Sequence, residues 1–262
     1  MGRKRVIRYR DPLRDDFAPL TIRTRPVDGS FPYEHPSRLW RGAAWLLYYL
    51  IAAPVALLVG KVYLGLRFEN REALKQLPRT GFCLYGNHTR TLDVALPILA
   101  AFPRRAYIIA NPDAVSIPGL RNLVTMLGAI PVPTGAGGLK QMLDAVSRRL
   151  RSGCCVAIFP EAHIWPFYTG IRPFPDTSFR YPVKEHCPAV AMAVTYRKRR
   201  GLGRLFPQPA MTVTFSQPMY PRADLPPREA KRELRDRVYR FMTETAAAKE
   251  NVAYIRYERE QG

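Results

Sequence analysis

The chain has 262 residues, 47% of them apolar, and its 41 lysines and arginines outnumber its 21 acidic residues to give a net charge of +20. This charge indicates an anionic partner, such as nucleic acid, an anionic bilayer or acidic soluble molecules. The four cysteines, Cys83, Cys154, Cys155 and Cys187, show neither zinc-finger spacing nor a disulfide framework, which argues against a cysteine-held module and favours reduced core residues in a reducing compartment.

Residues 1–38 form the first predicted segment, a basic arm that contains proline and lacks regular apolar periodicity. Such a composition favours an extended chain. Two interpretations are open for this arm. It is either a solvated tail or a tether to anionic headgroups, in which each basic residue near the surface adds roughly 1 kcal/mol.

Residues 39–68 form the second segment, which contains an uncharged apolar run from Ala43 to Gly60 between Arg41 and Lys61. The run is at the lower limit of length for a spanning helix, and Pro54 predicts a kink in it. It is compatible with a spanning helix, a helix embedded in one leaflet, or a buried core helix. We favour membrane association over the soluble core and leave the first two alternatives open.

Residues 69–262 alternate short apolar runs with amphipathic stretches, which is the pattern of an α/β domain. The predicted strands are Phe82–Tyr85, Ala106–Ala110, Ala129–Val132, Val156–Phe159, Val190–Thr195 and Met211–Phe215. The predicted helices are Leu92–Ala101, Pro118–Leu127, Leu139–Leu150 and Pro227–Ala247. The predicted fold class is therefore α/β, a largely parallel sheet flanked by helices and preceded by an N-terminal hydrophobic, membrane-associated helix.

The stretch "HTRTLD", from His88 to Asp93, follows the first predicted strand directly. Sites in open α/β sheets lie outside the carboxyl ends of the strands. Residues five apart meet poorly on a straight helix, so the two side chains can pair only if the backbone turns between them. The aspartate would then orient the imidazole, which would take a proton from an alcohol. A polar turn without a catalytic role is the alternative.

A second polar position follows the predicted strand in "VAIFPEAHIWP", where Glu161 lies just beyond the strand end on the same side of the sheet as His88. Together these stretches resemble the glycerolipid acyltransferase family, which includes lysophosphatidic acid acyltransferases. The residues that match its first and third motifs are Asn87, His88, Asp93, Phe159, Pro160 and Glu161. "LGAIPV" (127–132) and "PAVAMAVTY" (188–196) are similar to the second and fourth motifs, so the resemblance covers roughly residues 69–215.

The resemblance implies transfer of a fatty acyl group from acyl-CoA or acyl carrier protein to a hydroxyl of a lyso-glycerolipid. The default acceptor is 1-acyl-sn-glycerol-3-phosphate, in phospholipid biosynthesis. His88 would be the general base, Asp93 its orienting residue, and Glu161 would help bind the acceptor. The implied setting is the cytoplasmic face of a membrane, with membrane lipids as partners and a single hydrophobic helix as the anchor. Neither a metal nor a further cofactor is expected.

The sequence departs from the family pattern where basic groups usually bind the acceptor phosphate. Residues 162–164 read "AHI" in place of Gly-Thr-Arg, "IPVPTGAGG" contains no arginine, and Asn111 stands where a lysine is common. Arg90 or Arg172 would be substitutes, because a guanidinium binds phosphate bidentately, unless both are solvent-facing surface charges. The alternatives are another lyso-lipid or a glycolipid as acceptor, or a catalytically inactive membrane-binding relative.

Three further features have two interpretations each. His163 either lines the site or is merely packed or exposed. "TGAGG", residues 134–138, either binds an anion at the following helix or is a flexible connection. "RKRR", Arg197 to Arg200, is either a solvated loop or a contact for a lipid surface or a carrier protein. Because the sequence contains no groove-reading motif, we expect no nucleic-acid partner.

Overall fold

The computed structural model describes residues 5–18, 22–135 and 137–260. The strands in these ranges are β1 (Arg5–Tyr9), β2 (Arg67–Glu69), β3 (Phe82–Gly86), β4 (Ala106–Ala110), β5 (Ala129–Pro131), β6 (Cys155–Ile158), β7 (Ala189–Arg197), β8 (Ala210–Phe215) and β9 (Ile255–Arg259). The α-helices are α1 (Arg38–Leu46), α2 (Ala53–Leu58), α3 (Ala95–Ala101), α4 (Arg121–Met126), α5 (Leu139–Arg151), α6 (Arg180–Glu185) and α7 (Pro227–Ala248).

A seven-stranded sheet in the order β2-β8-β7-β3-β6-β4-β5 forms the centre of the molecule. The strands from β7 to β5 in this order are parallel, β8 is antiparallel to β7, and β2 is parallel to β8. The carboxyl ends of five strands therefore meet at one edge, together with the amino ends of β8 and β2. This arrangement confirms the predicted α/β class with a largely parallel sheet.

Both faces of the sheet are buried, as is usual for parallel strands. One face packs against α3 and the segment around Leu64 and Leu66. The other face packs against the apolar stripes of α5 and α7, which include Val146 and Leu234. Every residue of β3 is buried, which explains why this strand reads as a continuous apolar run.

The apolar segment forms one continuous helix from Arg38 to Tyr63, long and apolar enough to cross a membrane. Two wide π-helical turns, Leu47–Ala52 and Val59–Tyr63, interrupt its α-helical geometry. The first turn immediately precedes Pro54, which lacks an N–H and cannot take part in a regular ladder. The Ala53 N–H accordingly bonds to Tyr48 O, five residues back. The irregularity predicted at Pro54 thus takes the form of a widened turn.

One side of this helix packs on the domain, and much of the remaining surface is exposed. Tyr48, Ala53 and Ala56 pack against Ile98 and Leu99 of α3. The exposed apolar side chains are Leu39, Trp45, Leu46, Leu50, Ile51, Val55, Leu57, Leu58 and Val62. Such a long exposed apolar surface is unusual for a soluble domain and indicates a surface that is covered in the cell.

In its described residues the N-terminal arm is extended and packs on the domain at several points, so these residues do not form a fully solvated tail. Strand β1 pairs in parallel with β9, Phe17 stacks edge-on against Trp165, and Val27 is buried. The arm's contacts come from isolated apolar residues without periodicity, so no pattern in the sequence predicted them. Strand β2 spans the predicted boundary at residue 69, and the division into arm, helical segment and domain stays a prediction.

The cysteines are free thiols. Cys83 in β3 and Cys155 in β6 are buried, and so is Cys187, which lies just before β7. Burial raises the pKa of Cys83 and Cys155 well above the usual value, which keeps both in the unreactive thiol form. Their packing agrees with the predicted role as small core residues.

Removing one hydroxyl tests how the apolar helix docks on the sheet. The Ala106 N–H at the start of β4 donates to Tyr48 Oη over 2.9 Å, and this pair is buried. Tyr48→Phe would leave the amide without a partner, so we expect a loss of about 1–3 kcal/mol in the free energy of unfolding. Chemical denaturation in detergent micelles measures it. In the control Tyr49→Phe, the lost bond to Pro103 O is exposed, and we expect a smaller effect.

Candidate active site

His88 and Asp93 meet because the chain turns sharply between them. Arg90 is extended, with φ −154° and ψ 149°, and a 3₁₀ turn begins at Thr91. The turn brings Asp93 Oδ2 to 3.3 Å from His88 Nδ1. Two side chains five residues apart can therefore meet here, because the chain is extended at Arg90 and becomes helical only from Thr91 onward. This placement brings together the pair that the sequence predicts.

The carboxylate of Asp93 is fully buried, and backbone N–H groups of the preceding turn donate hydrogen bonds to it. Its Oδ2 accepts the Thr89 N–H at 2.7 Å and the Arg90 N–H at 2.8 Å, in addition to the His88 contact. A carboxylate oxygen accepts hydrogen bonds, so the contact with His88 pairs with the ring tautomer that carries its proton on Nδ1.

Asn87 connects the end of β3 to the neighbouring strand β7. Its side-chain Nδ2 donates to Val194 O at 3.1 Å, and its Oδ1 accepts the Val194 N–H at 2.8 Å. The amide thus replaces a backbone hydrogen-bond pair just beyond β3. This gives the predicted motif-supporting residue a structural role, which is to fix where the chain leaves the sheet before His88.

The segment that follows β6 packs against the imidazole ring and the backbone of His88. The Phe159 ring stacks on the imidazole at 4.5 Å between centroids, with 22° between the planes. The Trp165 N–H donates to His88 O, and the Phe167 N–H donates to Thr89 O. Pro160 lies between Phe159 and Glu161 and is half-buried. The two motifs therefore form one unit around a ring that is 14% exposed.

Glu161 and Arg172 form a buried ion pair next to the backbone of His88. Glu161 Oε2 lies 3.2 Å from Arg172 Nη2 and accepts the His88 N–H at 3.3 Å, while Oε1 accepts the Arg172 N–H at 3.0 Å. Arg172 also donates to His163 O and Pro12 O, and its guanidinium lies over the Trp165 ring. Burial raises the pKa of Glu161, and the Arg172 charge opposes that rise.

Both side chains of this pair are 1% exposed, so neither faces an acceptor directly. Their contacts do not support the predicted acceptor-binding role, which stays a prediction. What the geometry does show is that Glu161 fixes the backbone of His88, and that Arg172 ties this position to the N-terminal arm. The alternative of a solvent-facing charge is wrong for Arg172.

Arg90 is also buried, and its side chain contacts a different set of residues from the Glu161–Arg172 pair. Its Nη2 donates to Gln208 Oε1 at 2.5 Å, and its guanidinium lies over the rings of Tyr63 and Phe167. The side chain thus connects the histidine turn to the end of the apolar helix and to the loop after β7. Arg90 is therefore not a solvent-facing charge, and its predicted contact with the acceptor stays a prediction.

A cleft of about 280 Å³ opens beside His88 at the carboxyl edge of the sheet. Its walls are mostly apolar and come largely from the ends of β4, β5 and β6 and from the 3₁₀ turn Thr91–Val94 that precedes α3. The apolar lining residues include Val94, Ile108, Ile109, Val132, Ile158, Phe159 and Ile164. The acidic residues Asp16 and Asp113 also line it, and no lysine or arginine is among the lining residues that the structure describes. A hydrocarbon chain fits these walls better than a phosphate does.

The remaining predicted features lie around the cleft. His163 points to Asp16, with Nδ1 3.5 Å from Oδ2, and is not among the cleft-lining residues, although both of its sequence neighbours are. The Thr134 N–H donates to Val27 O, so this part of "TGAGG" packs on the arm, while Ala136 lies outside the described residues. Within the described ranges there is no cluster of three potential metal ligands, and metal-free chemistry stays a prediction.

The sequence analysis missed the residues that reach the site from distant segments. Asp16 and Ala18 of the arm line the cleft, and Tyr196 of β7 donates its hydroxyl to Thr89 Oγ1 at 2.7 Å. Gln208 holds Arg90. No spacing rule connects these positions with His88, because each contact joins elements far apart along the chain.

The arrangement is suited to proton transfer at the mouth of an apolar cleft. With Nδ1 occupied by Asp93, the second imidazole nitrogen, Nε2, is free to accept a proton from an alcohol. The described residues around His88 include no serine or cysteine within hydrogen-bonding contact of its ring. The site therefore supports activation of an external hydroxyl group.

Comparison with known proteins agrees with this chemistry. A family model described as Acyltransferase matches residues 65–195, half of the chain. The fold is similar to the crystal structure of the 1-acyl-sn-glycerophosphate acyltransferase PlsC from Thermotoga maritima, with a TM-score of 0.55 and 16% sequence identity. That alignment covers 82% of this chain and 91% of the other. A comparison with curated proteins finds no match.

Breaking the buried ion pair tests its structural role. Arg172→Met removes one charge and leaves Glu161 buried without its partner, so we expect a loss of about 3–5 kcal/mol in the free energy of unfolding. Urea denaturation measures this loss. Arg222→Met is the control, since its ion pair with Asp224 is exposed and should contribute little. Equal effects of the two substitutions would show that the Glu161 pair is solvated in solution.

Proposed function

The chain belongs to the acyltransferase family, and on that premise we propose that it moves a fatty acyl group from an acyl thioester to a hydroxyl of a lyso-glycerolipid. The observation that carries this proposal is the His88–Asp93 pair at the mouth of an apolar cleft. A base beside a hydrocarbon-sized cleft is what acylation of a lipid alcohol requires. The enzyme class, acyltransferase, follows from the family itself.

The proposed reaction uses His88 twice. Nε2 takes the proton of the acceptor hydroxyl as its oxygen attacks the thioester carbonyl carbon, and Asp93 stabilises the imidazolium through Nδ1–H. The tetrahedral intermediate then collapses, the carbon–sulfur bond breaks, and the imidazolium returns the proton to the leaving thiolate. The products are an ester and a free thiol. Acyl-CoA or acyl carrier protein is consumed as a co-substrate, and no further cofactor takes part.

The default acceptor in this proposal is 1-acyl-sn-glycerol-3-phosphate, which would place the enzyme in phospholipid biosynthesis. The acceptor named for the Thermotoga maritima protein supports this choice. The acidic lining of the cleft favours a second candidate, a lyso-lipid or glycolipid whose headgroup has no phosphate beside His88. Among the described lining residues, Asp16 and Asp113 have no lysine or arginine beside them in the cleft, so a phosphate close to these carboxylates would be disfavoured.

An acceptor panel distinguishes these candidates. Purified protein in detergent is given acyl-CoA or acyl carrier protein loaded with a fatty acid, together with lysophosphatidic acid, other lysophospholipids, monoacylglycerol or a glycolipid. Thiol release and product mass report the transfer. The proposal expects turnover with at least one lipid alcohol. Absence of turnover with every donor and acceptor would instead favour an inactive membrane-binding relative.

We further propose that the helix Arg38–Tyr63 lies in one leaflet on the cytoplasmic side. Its contacts support this orientation over a spanning one. Tyr48 bonds to β4, and Ala53 and Ala56 pack on α3, so the domain covers one side of the helix over much of its length. A spanning helix would need lipid on that side, whereas an embedded helix needs lipid only on its exposed side.

Replacing His88 tests the proposed general base. We expect His88→Ala to lower the rate of thiol release by at least about 10²–10⁴-fold, the usual contribution of a positioned base. Some loss of stability is also expected, because the ring is 14% exposed and contacts the buried carboxylate of Asp93, so the free energy of unfolding is measured alongside and turnover is scored only on folded protein. His186→Asn is the control, since that exposed histidine follows α6 in a left-handed conformation that asparagine accepts. Undiminished turnover by His88→Ala would exclude the mechanism.

Cysteine labelling tests the orientation of the helix. In a Cys154→Ala background, Arg41→Cys and Lys61→Cys place one thiol at each end of the apolar run. The embedded orientation expects both to react with an impermeant maleimide only after the cells are permeabilised. The remaining cysteines are buried and should stay unlabelled. A spanning helix would expose one of the two ends in intact cells.

A further inference from the structure

The loop between β7 and β8, residues 198–209, lies at the same edge of the sheet as His88 but outside the proposed catalytic machinery. It joins the carboxyl end of β7 to the amino end of β8. Together with the end of the apolar helix it encloses a shallow basin lined by six basic residues, Lys61, Arg67, Arg197, Lys198, Arg199 and Arg200. The one carboxylate in the lining, Glu250, accepts the Lys198 N–H. The basin is therefore strongly positive.

Two leucines project from this loop into solvent. Leu202 is 85% exposed and Leu205 is 81% exposed, among the highest values for large apolar side chains in the described chain. Both belong to the 3₁₀ turn Gly201–Leu205. Side chains three residues apart eclipse one another in 3₁₀ geometry, so the leucines share one face. Exposed apolar side chains between basic ones are typical of a surface that enters a lipid interface.

The loop is held firmly to the end of the apolar helix. Arg199 donates to Tyr63 O and, at 2.6 Å, to Gln208 O. Gln208 in turn donates to Tyr63 Oη at 2.8 Å and accepts from Arg90. The exposed apolar surface of the helix ends at Val62, which lines the same basin as Leu202. The apolar helix and the loop thus form one continuous surface.

From these observations we propose that the β7–β8 loop is a second membrane contact, in which Leu202 and Leu205 enter the bilayer and the surrounding basic residues bind the phosphates of anionic lipid headgroups. The proposal rests on the membrane association proposed above. It extends that association from a single anchoring helix to two contacts. Because Arg90 links the loop to the His88 turn, the second contact would hold the catalytic edge against the lipid that supplies the acceptor.

An acidic carrier protein is the competing partner for a basic loop. The observation that favours the bilayer is the continuity of the leucines with the apolar face of the helix, which a soluble acidic protein would leave in water. Basic residues and apolar side chains on one surface match the two layers of an anionic membrane, the phosphates and the acyl boundary.

Vesicle flotation with the full-length protein tests this contact. Phosphatidylcholine vesicles with and without phosphatidylglycerol are compared for wild type and for the triple variant Lys198→Gln/Arg200→Gln/Arg204→Gln, which neutralises the three exposed basic residues of the loop. Each basic residue at an anionic surface contributes about a factor of five to binding, so we expect the variant to lose at least about tenfold in affinity for the anionic vesicles only. Leu202→Ser/Leu205→Ser should weaken binding to both kinds of vesicle.

The matched control removes the same charge elsewhere. Arg228→Gln/Arg232→Gln/Arg240→Gln neutralises three exposed arginines of α7, on the opposite face of the sheet from the apolar helix. We expect this control to bind as wild type does. Equal losses in the two triple variants would show a general effect of net charge and overturn the proposal.

Two further readouts separate this proposal from the others. Turnover of a detergent-dispersed acceptor with acyl-CoA should be the same in wild type and loop variants, because the loop is not part of the catalytic pair. Normal vesicle binding combined with slower turnover only with acyl carrier protein would assign the loop to the carrier and overturn the membrane contact. If wild type transfers no acyl group at all, the proposed function fails, while the flotation result still decides the role of the loop.

Discussion

The buried carboxylate of Asp93 is the constraint on which the rest of the site depends. A carboxylate without water requires several donors, and here it takes two amide N–H groups and the imidazole. Those donors all bond to Oδ2 and lie within the five residues that precede Asp93, so the contacts of this one oxygen also shape the turn, while Oδ1 has no hydrogen-bond partner among the described residues. This turn places His88 in the lining of the cleft. One electrostatic requirement therefore shapes the local backbone and provides the contact that orients the His88 ring.

A second buried charge, Glu161, extends this constraint to distant parts of the chain. It binds the His88 N–H on one side and Arg172 on the other, and Arg172 reaches Pro12 of the N-terminal arm. The arm also forms one wall of the cleft through Asp16 and Ala18. The basic N-terminal segment is consequently part of the site's structure, and its packing near the cleft affects what can approach His88.

Charge is distributed unevenly along the carboxyl edge of the sheet. The cleft beside His88 contains Asp16 and Asp113, whereas the basin beneath the β7–β8 loop contains six basic residues. The net charge of +20 therefore does not make the catalytic cleft positive. Part of it lies near the end of the apolar helix, where an anionic surface would be attracted without placing a phosphate against the cleft's own carboxylates.

The fold class, the main strands and the pairing of His88 with Asp93 were predictable from the sequence, because they depend on local patterns. Periodicity placed β3 and α5 to within a residue or two, and a histidine directly after a buried strand indicated a site at the sheet edge. The burial of Arg90 and Arg172, the packing of the arm and the acidic cleft lining were not predictable. Each of these arises from contacts between segments far apart in the chain, where side chains are paired by the packing of the whole domain. Local sequence thus determined which groups could do chemistry, and the tertiary structure decided which of them face the cleft, because burial and charge pairing are properties of the assembled fold.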